Sequence, residues 1–255
     1  MSDGPPVRDA ILLAGGRGQR LAPYTSILPK PLLPIGERPI LEILLRQLAA
    51  AGVERAHLAV GYLSQLIESY FGDGSQVGIR ITYHREPEPL GTAAPVRFVA
   101  DRLLAAGAIP PAFFVMNGDL LMDVDFAAMA ARHRAGTLSI LVADREHRVD
   151  LGVLEVDGAG RLVDYVEKPV HRYLVSTGVY VVPREALDVI EPGVRLDFPD
   201  LVRRMLRTGF PVHPVRLADV GSVWMDLGRP EDYEAGCRAF ESDPGRFLRG
   251  AARAR

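Results

Sequence analysis

An α/β protein with a mostly parallel sheet and helices on both faces is what this 255-residue sequence predicts. Three observations predict it. Short continuous apolar runs, such as Ala10–Ala14 and Phe113–Asn117, read as strands buried on both faces. Helical stripes of apolar residues lie between such runs. Strand and helix patterns alternate through the first half, the rhythm of parallel strands joined by crossover helices.

Each element has a local reason. Ala10–Ala14 is a buried strand that ends in glycines. Pro39 opens a helix with Leu41, Leu44, Leu45 and Leu48 on one stripe, and Gly52 closes it. Ala56–Val60 is a strand, Leu63–Phe71 a helix, Ile79–His84 an alternating strand and Ala93–Ala106 a helix before the strand Phe113–Asn117. In the second half, Gly152–Val156 and Leu162–Val166 flank the turn signal Asp157-Gly158-Ala159-Gly160 and read as a hairpin. Val175–Val182 is a further strand, Leu201–Leu206 a helix and Val212–Leu217 a strand, and Pro230 starts the last helix. These patterns predict one domain over residues 7–240, with 7–150 mainly on one side of a site and 151–240 mainly on the other. Residues 241–255, with four arginines and little apolar pattern, read as an exposed tail.

Composition narrows the function. Hydrophobic residues make up 48% and charged residues 24%, and 30 basic against 32 acidic residues leave a net charge of −2. No global field draws in nucleic acid or an anionic membrane, so any phosphate site is local. Met1–Arg8 has no apolar stretch after a basic one, and no run reaches the ~18 apolar residues of a membrane span. A cytoplasmic location is the expectation. The single cysteine, Cys237, excludes an intrachain disulfide and reads as a packing residue.

The loop Gly15-Gly16-Arg17-Gly18-Gln19-Arg20 carries the first chemistry. A dinucleotide fingerprint needs a third glycine where Leu21 stands, and Pro23, Pro29 and Pro31 forbid the helix that should follow. A Walker A loop needs a closing Gly-Lys-Ser/Thr, which this loop lacks. What fits is a loop of backbone N–H donors lying over a triphosphate, with Arg17 and Arg20 as forked donors. Pro29-Lys30-Pro31 then holds an ammonium on a stiff segment, suited to charge that develops on a phosphoryl group. Asp119 follows the buried strand Phe113–Asn117 at its carboxyl end, where ligands bind in open α/β sheets.

Taken together, Gly15 to Pro23 and Pro29-Lys30-Pro31-Leu32-Leu33-Pro34-Ile35 resemble the N-terminal signature of the sugar-phosphate nucleotidyltransferase family. The resemblance continues through Glu88-Pro89-Leu90-Gly91-Thr92-Ala93, Asn117-Gly118-Asp119, Glu167-Lys168-Pro169, Thr177-Gly178-Val179-Tyr180 and Trp224-Met225-Asp226-Leu227-Gly228, to about Phe240. It implies a Rossmann-like, GT-A-like fold with a small mixed β region on the sugar side. It implies a nucleotide site at Leu13, Ala14, Gly15, Gly16, Arg17, Gly18, Glu86, Pro89, Gly91, Thr92 and Gly118. Arg20, Lys30 and Lys168 are the implied catalytic cations. Gly152, Glu167, Lys168, Thr177 and Tyr180 match the sugar-phosphate side. Asp119 and Asp226 match carboxylates that bind Mg²⁺ (Mg2+), an ion that one or two carboxylates plus substrate phosphates usually hold.

The implied reaction is an in-line displacement. A sugar 1-phosphate oxygen attacks the α-phosphorus of a nucleoside triphosphate (NTP), pyrophosphate leaves, and catalysis is positioning plus charge neutralisation. The segment Glu88 to Pro95 is most similar to the mannose 1-phosphate guanylyltransferase branch, with Ala94 in place of a glycine, and favours GTP. The chain ends without the β-helix of that branch's longer members, which points to a specialised sugar or cyclitol phosphate. Thymidylyl and uridylyl transfer stay open, and so does a homo-oligomer. Two other classes also stay open. One is a GT-A glycosyltransferase with Asp123-Val124-Asp125 as its D-x-D metal motif, although Asp125 reads better as a helix N-cap. The other is a non-catalytic nucleotide or sugar sensor. No histidine spacing suggests zinc. Trp224 suits stacking on a ligand and apolar packing equally.

Overall fold

The structure is a computed structural model and describes residues 6–248. β1 (Asp9–Ala14) leads into the Gly-rich loop, whose prolines permit only single 3-10 turns at Gln19–Leu21, Tyr24–Ser26 and Lys30–Leu32. A short ladder of β2 (Pro34–Ile35) and β3 (Arg38–Pro39) precedes α1 (Ile40–Ala50). Then come β4 (Arg55–Val60), α2 (Ser64–Phe71), β5 (Arg80–Arg85), α3 (Ala94–Ala105) and β6 (Ala112–Asn117). All lie within one or two residues of the expected bounds. Next are β7 (Leu120–Met122), α4 (Phe126–Ala131), β8 (Leu138–Arg148), β9 (Val153–Val156), β10 (Leu162–Val166) and β11 (Val170–Pro183). α5 (Phe198–Arg207), β12 (Val212–Arg216), β13 (Trp224–Asp226), α6 (Pro230–Ser242) and α7 (Pro244–Phe247) complete the chain.

Seven strands form the central sheet in the order β12-β8-β11-β6-β1-β4-β5. β5, β4, β1 and β6 are mutually parallel, while β11 runs antiparallel to both β6 and β8. The expected α/β architecture is therefore present, with one reversed strand. Alternate residues of each strand feed opposite faces. Leu12, Leu58 and Phe114 pack with α1, α2 and α4, whereas Ile11, Ala59 and Phe113 pack with α3 and α5.

Two expectations need correction. The strand expected at Val175–Val182 is longer, and its partner β8 was not foreseen. Only Leu138–Ala143 of β8 lies buried in the sheet; Asp144–Arg148 projects beyond it beside Val170–Leu174 of β11, all exposed. The projecting halves bury neither face, so they lack the apolar alternation that marks a strand. The hairpin β9–β10 forms as expected but as a separate ladder at the end of this projection, a β arm. The second correction concerns the tail. Residues 244–247 form α7, and Phe247 is 1% exposed in a third cluster with Leu21, Ile35, Leu121, Leu227 and Phe240. Burying one such ring stabilises the fold by about 2 kcal/mol. Gln47 Nε2 donates to the Phe247 carbonyl at 2.7 Å, which ties this segment to α1. Asp243 caps α7 through the Arg246 N–H, so the chain is structured past residue 241. Residues 249–255 of the expected tail lie outside the described residues.

Candidate active site

Four parallel strands end side by side, and each delivers a residue to the same edge at its carboxyl end. β1 runs into Gly15, β4 into Gly61, β5 into Glu86, and β6 into Gly118 and Asp119. Parallel strands whose crossovers leave in different directions open a crevice at this edge. A cleft of about 1120 Å³ lies there, lined by Leu13 to Arg20, Lys30, Glu86, Pro89, Gly91, Thr92 and Asp119. It lies just above the ~300–1,000 Å³ of a drug-sized site.

The loop is folded against its own lysine. Gly18 has φ 62°, and a Cβ there would fall 2.9 Å from Thr25 Cγ2 and 3.1 Å from Lys30 Cβ, so only glycine fits without displacement. Thr25 Oγ1 donates to the Gly18 carbonyl at 2.9 Å. Lys30 is almost wholly buried, and its ammonium forms an ion pair with Asp119 and lies 3.7 Å from Asp226 Oδ1. Three residues from distant parts of the chain thus share one charge cluster. Arg20 stands beside it: a Cβ on Gly228 would lie 3.0 Å from Arg20 Nη2 and 3.2 Å from Asp226 Oδ1.

Asp119 Oδ1 is buried and has no hydrogen-bond partner. A buried carboxylate oxygen without a partner is costly unless a ligand or ion completes it. Asp119 and Asp226 are a hard-oxygen pair that suits Mg²⁺ completed by phosphate oxygens. No group of three or more metal-type side chains occurs among the described residues, so an ion here would draw its remaining ligands from outside the protein.

At the other end of the cleft, Glu86 Oε1 packs so closely on Gly15 that a Cβ there would fall 2.8 Å away. Burial pushes the Glu86 carboxyl above its usual range, and the Leu90 N–H at 3.4 Å pulls it partly back. The Gly91–Thr92 turn is pinned by Asp197, whose Oδ1 accepts from the Thr92 N–H at 2.9 Å and its hydroxyl at 3.2 Å. A side chain on Gly91 would strike the Leu196 carbonyl at 2.7 Å.

Arg195, Asp197, Gly61, Tyr62 and Asn117 also line the cleft and were not foreseen as site residues. Gly61 had a signal, since it follows a buried strand as Gly15 does. Arg195 and Asp197 had none, because only the docking of α5 against the Gly91 turn brings them there. The Arg17 guanidinium lies 5.7 Å from the Tyr62 ring centroid, within range of a cation–π contact.

The sugar-side candidates divide. Gly152, Glu167 and Lys168 gather on the β arm. Tyr165 covers Gly152 and donates its hydroxyl to Glu167 Oε2 at 3.0 Å. The Lys168 and Glu167 side chains are 52% and 58% exposed with their charges 3.9 Å apart, and none of the three lines the cleft. Thr177 is buried at the bulge of β11 and donates to the Leu141 carbonyl at 2.9 Å. Tyr180 stacks on Phe198 at 3.9 Å inside the core, its hydroxyl 3.2 Å from Ser176 Oγ. The structure thus places these two side chains in packing rather than in the cleft.

The D-x-D alternative loses its metal pair. Asp125 caps α4, accepting from the Ala128 N–H at 2.8 Å. Burial pushes the Asp123 carboxyl up, but the N–H groups of Ser222 and Val223, then Arg246 and the Ser222 hydroxyl, outweigh it and hold the pKa at about 2. Trp224 is a packing residue whose Nε1 donates to the Thr177 carbonyl at 2.8 Å. Burial pushes the Cys237 thiol up, which fits an inert side chain.

Comparisons with known proteins bear on the family and the fold. The family described as nucleotidyl transferase matches residues 9–242. A mannose-1-phosphate guanylyltransferase of Mycobacterium tuberculosis is 34% identical over 89% of this chain and 63% of its own length. A UTP–glucose-1-phosphate uridylyltransferase of Synechocystis is 30% identical over 88% of the chain and 61% of its own. The chain therefore spans just under two thirds of the curated relatives it matches. The crystal structure of HddC from Yersinia pseudotuberculosis superposes with a TM-score of 0.69 at 24% identity, covering 92% of this chain and all of that one. On the strength of the match across residues 9–242, the chain belongs to the nucleotidyltransferase family.

Proposed function

We propose that this protein transfers a nucleoside monophosphate from an NTP to a sugar or sugar-like 1-phosphate, forming an NDP-sugar and releasing pyrophosphate, with GTP as the preferred donor. The observation that carries the reading is the cluster of Lys30, Asp119 and Asp226 beneath the Gly15–Arg20 loop. An oxygen of the sugar phosphate attacks the α-phosphorus, and the bond from that phosphorus to the oxygen bridging to the β-phosphate breaks, the electron pair leaving with pyrophosphate. The attacking phosphate is already an anion, so no side chain needs to remove a proton. Backbone N–H groups of the loop, with Arg17 and Arg20, cradle the β- and γ-phosphates and hold the leaving group. Lys30, stiffened between prolines, neutralises charge at the reacting phosphoryl group. Lys168 orients the acceptor phosphate and Glu167 its hydroxyls, once the arm brings them to the cleft. Mg²⁺, held by Asp119 and Asp226, would supply charge neutralisation across the phosphates.

The base preference rests on Glu86. An ionised carboxylate only accepts hydrogen bonds. Guanine presents two adjacent donors, its ring N–H and exocyclic amine, and a carboxylate can take both. Uracil and thymine present one N–H between two carbonyl oxygens, so the second carboxylate oxygen would be repelled. Similarity to the guanylyltransferases over most of the chain points the same way. The test is pyrophosphate release with Mg²⁺ across four NTPs and a panel of sugar 1-phosphates. GTP is expected to turn over fastest, and Glu86→Gln is expected to reduce its advantage over UTP by roughly ten- to a hundredfold. No pyrophosphate release with any pair would sink the reaction, and faster turnover of UTP or dTTP would sink the base preference.

A further inference from the structure

Asp123 is the most heavily hydrogen-bonded carboxylate near the site, yet the proposed chemistry makes no use of it. Its Oδ1 accepts from the N–H groups of Ser222 at 2.8 Å and Val223 at 2.7 Å. Its Oδ2 accepts from the Ser222 hydroxyl at 2.8 Å and from Arg246 Nε at 2.7 Å. Arg246 also donates through Nη2 to the Ser222 hydroxyl, which closes a three-membered clasp. The Asp123 side chain itself is 6% exposed, while Ser222 and part of Arg246 reach solvent. Gly221 lies so close that a Cβ would be 3.1 Å from Asp123 Oδ1 and 3.2 Å from the Asp123 carbonyl.

The clasp sits at one end of a short ladder with the charge cluster at its other end. β7 pairs antiparallel with β13 in the register Trp224–Met122, Met225–Leu121 and Asp226–Leu120. Asp119 precedes β7 and Asp123 follows it. On the facing strand, Ser222 and Val223 precede β13 and Asp226 ends it. Three residue pairs make too short a ladder to hold its own position. β7 is anchored by the buried Leu120, Leu121 and Met122, whereas β13 is only partly buried and is tied at its start by the clasp, so a shift of that end would move Asp226 relative to Asp119 and Lys30. The clasp is completed from α7, which Gln47 also ties to the ladder: its Nε2 donates to both the Met122 and the Phe247 carbonyls at 2.7 Å.

We propose that Asp123, locked by Arg246, is a positioning residue that sets Asp226 against Asp119 and Lys30, and that the C-terminal segment reaches the active site through it. The proposal rests on the assignment of Asp119 and Asp226 given above. The chain supplies its own reporter, because Trp224, its only tryptophan, opens β13. The full chain is compared with Arg246→Ala, Arg246→Lys and Asp123→Asn by Trp224 emission, by binding of Mn²⁺ as a spectroscopic probe, by kcat and KM for pyrophosphate release, and by melting temperature. Arg246→Ala should shift the Trp224 emission and lower kcat by roughly ten- to a hundredfold, with KM for the NTP within about twofold and the fold intact. Mn²⁺ affinity should fall, and Arg246→Lys should recover part of every loss. Asp123→Asn should follow Arg246→Ala. Unchanged kcat and Mn²⁺ affinity in a folded Arg246→Ala would overturn the proposal, as would losses that merely track the unfolded fraction. If the wild-type chain releases no pyrophosphate from any substrate pair, the reaction fails but the clasp does not. Trp224 emission and Mn²⁺ affinity then decide it, with no change in either counting against it.

Discussion

The two sides of the site are built in different ways. The proposed nucleotide side, from Gly15 to Asp119, hangs on the ends of four strands, of which β1, β4 and β6 are almost wholly buried, and Gly15, Gly18 and Gly91 have no room for a Cβ. The sugar side places Gly152, Glu167 and Lys168 on an arm where Leu154, Leu162, Tyr165 and Tyr173 are each more than half exposed. A residue on the first side is held by a packed core, and moving it costs packing energy. A residue on the arm is held by a two-stranded ladder with little buried surface, and such ladders open readily. Under the proposed assignment, a preorganised triphosphate half and an adaptable acceptor half follow from that difference.

The largest expected effect tests the rigid side. Lys30→Ala should lower kcat by roughly two to three orders of magnitude, the size of losing one well-placed donor to a developing charge. Circular dichroism should still report a folded protein, and near wild-type turnover would remove Lys30 from its role.

The next test asks whether the rigid side is also where pH acts on stability. Behind the cleft, Arg55 grips Asp9 at 2.6 and 2.9 Å, His57 lies 3.4 Å from Asp9, and His84 lies 3.3 Å from His57. Burial, then the neighbouring His57 and Arg102, lower the His84 pKa from 6.5 to about 4. The folded state keeps His84 neutral while the unfolded chain takes up a proton below 6.5. Its contribution is therefore fully present above that value and is lost as pH falls towards 4. Asp9 acts in the same sense lower down, since its hydrogen bonds to His57 and Arg55 outweigh burial and keep its pKa below the ordinary value. Denaturant melts from pH 7 to 4 should lose up to about 3 kcal/mol on this account. His84→Gln should flatten that slope, and an unchanged slope would place the acid sensitivity elsewhere.

A smaller effect belongs to the arm. Lys168→Ala should raise KM for the sugar 1-phosphate by about tenfold while leaving KM for the NTP and the melting temperature almost unchanged, as expected for a solvated cation that loses one ligand contact. A large shift in melting temperature would show that the arm is not the loosely held region described above. The smallest effect is Asp125→Asn. Asparagine caps a helix about as well as aspartate, so stability should change by less than about 0.5 kcal/mol and turnover not at all. A collapse of activity would revive the D-x-D metal reading.

Much of this was legible in the residues because local physics wrote it there. Buried strands such as Ala10–Ala14 announce themselves as apolar runs, and Gly15 to Arg20 with Pro29-Lys30-Pro31 carries its chemistry in consecutive residues. The outer halves of β8 and β11 were not legible, whereas Leu138–Ala143 of β8 is an apolar run that carried the same signal as Ala10–Ala14. These outer halves face water on both sides and leave no periodic trace. Arg195 and Asp197 were equally hidden, because nothing near residue 196 says that α5 will dock against the turn at Gly91.

By itself the sequence determined the α/β class, the loop, and the identity of Lys30, Asp119 and Asp226 as candidates. Only the tertiary structure decided that these three share one charge cluster, that Tyr180 belongs to the core, and that Asp123 faces Arg246. The reason is physical. Backbone conformation and burial are dictated by neighbours along the chain, whereas a charge cluster is assembled by strand order and helix docking across roughly a hundred residues or more, and the local pattern holds no record of those contacts.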